Sequence, residues 1–178
     1  NNGLNANNIS KFMGILNGTS NFILTKMTRE QTSFEDALDE AQRLGFAEAD
    51  PTDDVEGVDA ARKVVITSYL SFNQVIKLND VKLTGISGTT LSDINAADQL
   101  GFKIKLIGKG TYENGHVHAS VEPTLIHKSH QLAAVENEYN AIYVIGDAVG
   151  DTMFYGKGAG SLATGSAVVS DLLNVALF

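Results

Sequence analysis

Two runs in the second half of the chain, FKIKLIGKGTY (102–112) and HVHASVEPTLI (116–126), alternate in places between apolar and polar residues and meet through Glu113-Asn114-Gly115. Asn-Gly tolerates the positive φ angles of a tight hairpin turn, so the pair predicts two long antiparallel strands. Further strands are predicted at ISKFMGIL (9–16), stopped by Asn17-Gly18, at VKLTGIS (81–87), at NAIYVIG (140–146) and briefly at Thr152 to Tyr155. Helical signals dominate the first half. Thr19 or Ser20 can cap a helix reaching about Arg29, with Phe22, Ile23 and Met27 on its buried face. Ser33 with Asp36 has capping-box spacing, and Phe34, Ala37, Leu38, Ala41 and Leu44 keep a helical period until Gly45. A third helix is expected from about Val55 to Phe72, capped by Thr52, Asp53 or Asp54. A short one follows Ser92 and ends at Leu100-Gly101, and the last runs from Ser161 to about Leu173. Helices early and antiparallel pairs late give an α+β domain: a mixed, largely antiparallel sheet covered by helices on one face. The open face then needs cover, and a second copy of the chain, making a homodimer, is the expected one.

Length and composition narrow the function. At 178 residues the chain is expected to be one domain spanning 1–178, with 43% apolar and 19% charged residues as in globular proteins. The absence of Cys removes thiol catalysis, disulfides and thiolate metal sites. A net charge of −8 argues against nucleic acid or an anionic membrane as partner. No apolar run is long enough to span a bilayer and no signal peptide is visible, so the cytoplasm is the default compartment. The opening NNGLNANNIS without Met and the apolar ending LLNVALF point to a piece of a longer polypeptide.

The chemistry concentrates in FAEADPTDDVEGVDAARK (46–63). Glu48, Asp50, Asp53, Asp54, Glu56 and Asp59 are six carboxylates in eighteen residues, leading into a helix that carries Lys63. Asp59 and Lys63 are four apart on one helical face, which by itself reads as an exposed ion pair worth a few tenths of a kcal/mol. A helix dipole explains one or two carboxylates near its N-terminus, but not four. Three readings follow: a solvated acidic surface, a cation-binding site without EF-hand spacing, or a pocket that grips an ammonium group while the Lys supplies a proton. On these residues alone all three stand.

GILNGTSNFILTKM (14–27), FAEADPTDDVEGVDAARK (46–63) and GDAVGDTMFYGKGAG (146–160) together resemble homoserine dehydrogenase, in order and spacing, over nearly the whole chain. The resemblance implies that family's catalytic, substrate-binding and dimerisation region, an α/β sandwich. No GxGxxG follows a strand at the N-terminus, so the family's Rossmann domain has no counterpart here. The implied reaction is the NAD(P)-dependent interconversion of L-aspartate 4-semialdehyde and L-homoserine, with NADP or NAD as cofactor. Lys63 matches the proton donor and Asp59 its companion. Glu48 matches the carboxylate that binds the substrate's α-ammonium, and Asp54 a second acid on the substrate side. Gly18 and Thr19 match a loop reaching substrate or cofactor, and Gly160 a glycine lying against the cofactor. Phe46 stands where relatives commonly carry Tyr. The family also uses a Lys from its nucleotide-binding domain, so the 178 residues alone are expected to be inactive. The last helix, about 161–175, is expected to pack towards that domain. The rival from another class is a non-catalytic amino-acid-binding or dimerisation module of the same architecture.

The remaining polar residues read blandly. His116 and His118 share a strand face without an evident third ligand, and His127 and His130 lie in a loop, so no metal site is assigned. Asp147 either turns the chain or approaches the site. Gly156 and Gly158 resemble a phosphate loop only by spacing. Ala159, Ala163, Ser166, Ala167 and Ser170 read as small residues that permit close helix packing.

Overall fold

The fold was obtained as a computed structural model and describes residues 4–176. Six strands form one sheet: β1 (Ile9–Ile15), β2 (Val81–Leu83), β3 (Phe102–Glu113), β4 (His116–His127), β5 (Tyr139–Gly146) and β6 (Gly150–Lys157), in the order β2-β4-β3-β1-β5-β6. Only the β2–β4 pairing is parallel, so the sheet is mixed and largely antiparallel as expected. The hairpin forms as read: β3 and β4 pair from Phe102↔His127 to Glu113↔His116. Asn114 and Gly115 between them both take positive φ, 53° and 82°.

The helices are α1 (Gly18–Glu30), α2 (Phe34–Arg43), α3 (Thr52–Val55), α4 (Val58–Phe72), α5 (Leu91–Gln99) and α6 (Ser161–Ala176). The main core lies between the sheet and helices α1 to α5, built on Phe12, Leu16, Phe22, Ile23, Leu24, Met27, Val64 and Leu106 among others. Ser33 caps α2 as its spacing implied, accepting from Asp36 N at 3.1 Å and donating to that residue's carboxylate.

Several boundaries differ from the sequence reading, each for a local reason. Asn17, not Thr19 or Ser20, caps α1, accepting from Ser20 N at 2.8 Å. The expected third helix is two: α3 stops at Val55, and Gly57, at φ 79°, turns the chain so that α4 starts in a new direction. Thr90 rather than Ser92 caps α5 through a reciprocal pair with Asp93. β2 ends at Leu83, because there the chain leaves β4 and packs on α3. Ile86 N donates to Val55 O at 2.7 Å, and a Cβ on Gly85 would stand 2.5 Å from Glu56 Cα. β6 is longer than expected because it pairs with β5 from Gly146↔Gly150 to Tyr139↔Lys157.

The second sheet face carries a smaller core of Ile15, Ile107, Ile126, Ala141 and Tyr143, and the chain itself covers part of it. Leu132, Ala133 and Val135, in the connection between β4 and β5, are fully buried against it. Polar side chains pin this irregular segment. Asn21 Nδ2 donates to the carbonyls of Val135, Asn137 and Tyr139, and Thr25 Oγ1 accepts from Asn137 N. Lys105 Nζ completes the pin from β3, donating to Val135 O at 2.6 Å and Asn21 Oδ1 at 2.9 Å. Such pairing is what allows irregular backbone to be buried.

Candidate active site

β1 ends at Ile15, and the turn Leu16-Asn17-Gly18 delivers the chain into α1. This turn is the hub of the site. Asn17 Oδ1 caps α1, while its Nδ2 donates to Asp54 Oδ1 at 2.6 Å and to Asp59 Oδ2 at 3.0 Å. Asp59 Oδ2 also accepts from Lys63 Nζ at 2.7 Å, one turn further along α4. Lys63 Nζ donates a second time, to Leu16 O at 2.8 Å. One carboxamide thus ties the end of α3, the first turn of α4 and the start of α1 around a single ammonium. An ammonium has three donors, and two are committed to the protein, leaving one for a ligand.

The structure brings Lys63, Asp59, Asp54 and Gly18 together, with Asn17, which sequence reading treated only as a strand stop. The signal for Asn17 was available, since Asn directly before a Gly-Thr-Ser helix start is a preferred cap. Thr19 is at the hub too, but its hydroxyl donates to Phe46 O at 2.6 Å and so serves the fold here. That bond draws the loop after α2 to the start of α1. Glu48, two residues beyond Phe46, is exposed on the same loop and is not among the residues lining the cavity beside Lys63. The Phe46 ring packs on Phe22 with centroids 4.8 Å apart. Asp147 is a chain-turning residue: Asn8 N and Nδ2 both donate to its carboxylate, and these bonds hold its pKa below the usual carboxylate range.

Beside Lys63 opens a cavity of about 450 Å³ between α4 and the helix-side face of β5 and β6. Its walls include Leu16, Ile66, Asn140, Ile142, Phe154 and Gly158. Gly158 is fitted against Asn140, since a Cβ there would lie 2.3 Å from Asn140 Nδ2. Gly160 adopts φ 111° with open space around it, a conformation that favours glycine, before α6 begins. Among the described residues no group of three His, Asp or Glu side chains is arranged to hold a metal, and no helix is long and apolar enough to cross a membrane.

The arrangement suits acid–base chemistry on an oxygen atom: a cation with a free proton, oriented by a carboxylate, at the edge of a largely apolar cavity.

The family model for homoserine dehydrogenase matches residues 1–173. The curated homoserine dehydrogenase of Bacillus subtilis is 55% identical over 173 residues, which cover 97% of this chain and 40% of that protein. A crystal structure of the Staphylococcus aureus enzyme superposes with a TM-score of 0.92 at 90% identity, covering 97% of this chain and 43% of that one. A hyperthermophilic archaeal homoserine dehydrogenase mutant in complex with NADPH superposes at 0.81 with 27% identity, covering 99% of this chain and 50% of that one. The chain thus spans about 40% of the length of the curated relatives it matches. By sequence match and by shape alike, the chain belongs to the homoserine dehydrogenase family.

Proposed function

We propose that this chain is the catalytic region of an enzyme interconverting L-aspartate 4-semialdehyde and L-homoserine with NADP or NAD. The observation that carries the reading is the Lys63 ammonium, fixed by Asp59 and Leu16 O with one donor left over at the cavity edge. In the reducing direction Lys63 gives its free proton to the substrate's carbonyl oxygen as that oxygen becomes an alcohol; in the oxidising direction it takes the proton back. Asp59 keeps the amine aimed. Asp54 and Glu48 receive the substrate's α-ammonium, with Glu48 reaching it from the loop that Thr19 anchors. Gly18 and Thr19 form the loop against the bound molecules, and Gly160 lets the cofactor approach closely. When bound, the nicotinamide supplies the hydride. The wall at Gly156 and Gly158 leaves room for such a group, and the archaeal relative solved with NADPH supports a nicotinamide nucleotide.

The same reading makes residues 1–178 the family's catalytic and dimerisation domain, dimeric through the part of the second sheet face left by residues 128–138. It acts in the cytoplasm, on the way to threonine and methionine. The test is to join the chain to a relative's nucleotide-binding domain and follow NADPH oxidation with aspartate semialdehyde. The fused chain should turn over, and the 178 residues alone should not. A fusion that binds homoserine but never oxidises NADPH, with or without Lys63, would leave a binding module instead.

A further inference from the structure

Asn140, on β5, lines the cavity that Lys63 borders. Its Oδ1 is fully buried and has no hydrogen-bond partner among the described residues. The hydrogen bonds around it are made by other side chains, notably Asn21 to the carbonyls of Asn137 and Tyr139. A buried carboxamide oxygen left unpaired in a folded protein is unfavourable, and native folds keep few of them. One glycine nevertheless makes room for this one, and a second lies in contact distance of it. A Cβ on Gly158 would collide with its Nδ2 and Cγ at 2.3 and 2.6 Å, and a Cβ on Gly18 would stand 3.4 Å from its Oδ1. Asn140 is therefore seated between the Asn17-Gly18 turn, which organises the acidic side of the site, and the loop before α6. The side-chain Nδ2, by contrast, is not buried and donates to no group among the described residues, so the NH₂ is the end of the amide free to meet a ligand in the cavity.

The carboxylates of Asp54 and Asp59 meet at Asn17, so the carboxylate of a zwitterion must lie away from them. Lys157, the cation on the Asn140 wall, is held near Glu138 at 3.5 Å and over the Tyr139 ring. The geometry points to Asn140 as a substrate-binding residue whose side-chain N–H donates to the α-carboxylate of the amino acid held beside Lys63. The inference rests on the proposed function and adds to it the group that recognises the negative end of the substrate.

Titrating the ¹⁵N-labelled 178-residue chain with homoserine and with 3-amino-1-propanol tests it; the second has the same ammonium and hydroxyl but no carboxylate. The Asn140 side-chain NH₂ resonances should shift with homoserine and stay in place with the amino alcohol. Homoserine should bind more tightly, and Asn140→Ala should reduce that preference by about tenfold to a hundredfold, the scale of one hydrogen bond to a charged group. Asn140→Asp should reduce it further. An unchanged preference in Asn140→Ala, or homoserine shifts at Lys63 with none at Asn140, would overturn the inference and leave the proposed function standing. Homoserine binding nowhere near Lys63 would overturn both. The wild-type resonances decide the matter even if a variant fails to fold.

Discussion

Lys63 and Asp59 stand one helical turn apart on α4 with ammonium and carboxylate 2.7 Å from each other, and Asn17 holds the same carboxylate oxygen from the other side at 3.0 Å. An isolated i,i+4 pair on a helix surface holds neither partner firmly. Here a third residue from another element fixes the acceptor, and Leu16 O fixes the amine a second time. The consequence is an oriented cation rather than a solvated one.

Replacing Lys63 with Ala should therefore separate chemistry from stability. Both partners are partly exposed, so the pair contributes no more than about 1 kcal/mol to folding. In the chain joined to a nucleotide-binding domain, kcat should fall by at least about a hundredfold, within the usual range for removing a general acid. The melting temperature of Lys63→Ala should stay within a few degrees of wild type. Differential scanning calorimetry beside steady-state kinetics reads both, and an unchanged kcat would remove Lys63 from its role.

Asn17 serves fold and site at once, and two substitutions divide the roles. Asn17→Ala loses the α1 cap, at about 1 kcal/mol, together with both bonds to Asp54 and Asp59. Asn17→Ser keeps a capping oxygen but lacks the amide that reaches two carboxylates. Urea denaturation should show Asn17→Ser close to wild type and Asn17→Ala below it. Both should lose turnover to a similar extent, since neither holds Asp59 in place.

Much of this was legible in the chain before any coordinates. Asn114-Gly115 determined the hairpin because its turn depends on two adjacent residues, and Ser33 with Asp36 determined the start of α2 for the same reason. Asp59 and Lys63 could be paired because a helix repeats every 3.6 residues. What could not be read depends on distant partners. Gly57 breaks the third helix where the pattern alone runs on from Val55 to Phe72. Residues 128–138 carry no period, so their docking on the second sheet face leaves no trace in local pattern. Lys105 looks like an outward polar residue in an alternating strand. It is buried only because that same segment, 30 residues away, lies over it. Asn140 is a lone amide in a strand, ordinary until Gly18 and Gly158 are seen around it.

The burial of Lys105 makes stability depend on pH. Loss of hydration, with the nearby Lys103 charge adding to it, lowers its pKa from 10.5 to about 7, despite the opposing Glu136 carboxylate. In the unfolded chain the amine stays protonated up to about pH 10.5, so between pH 7 and that value the unfolded state binds more protons than the folded one. Folding stability from this group must then rise with pH across the window, by at most about 1.4 kcal/mol per pH unit, and flatten below pH 7. Denaturant melts at pH 7, 8 and 9 should show wild type gaining stability relative to Lys105→Met, whose side chain does not titrate. Parallel pH profiles for the two proteins would show that Lys105 keeps its proton in the fold.

Helix α6 has no buried residue: Leu162, Val168, Leu172 and Val175 all face outward, each more than half exposed. A helix of 16 residues with Gly165 inside it and no buried residue is marginal in water, because most helical stability in proteins comes from packing one face. Within the 178-residue chain its amides should exchange with solvent far faster than those of α4, whose Ala61, Val64 and Ser68 are buried. Joining the chain to a nucleotide-binding domain should slow exchange across residues 161–176 by at least tenfold, because the exposed apolar side chains then acquire a surface to cover. Hydrogen–deuterium exchange by mass spectrometry on the two proteins measures this directly. If α6 is equally unprotected in both, its apolar face does not pack on that domain and must be covered by something else, the second sheet of a dimer being the next surface to test.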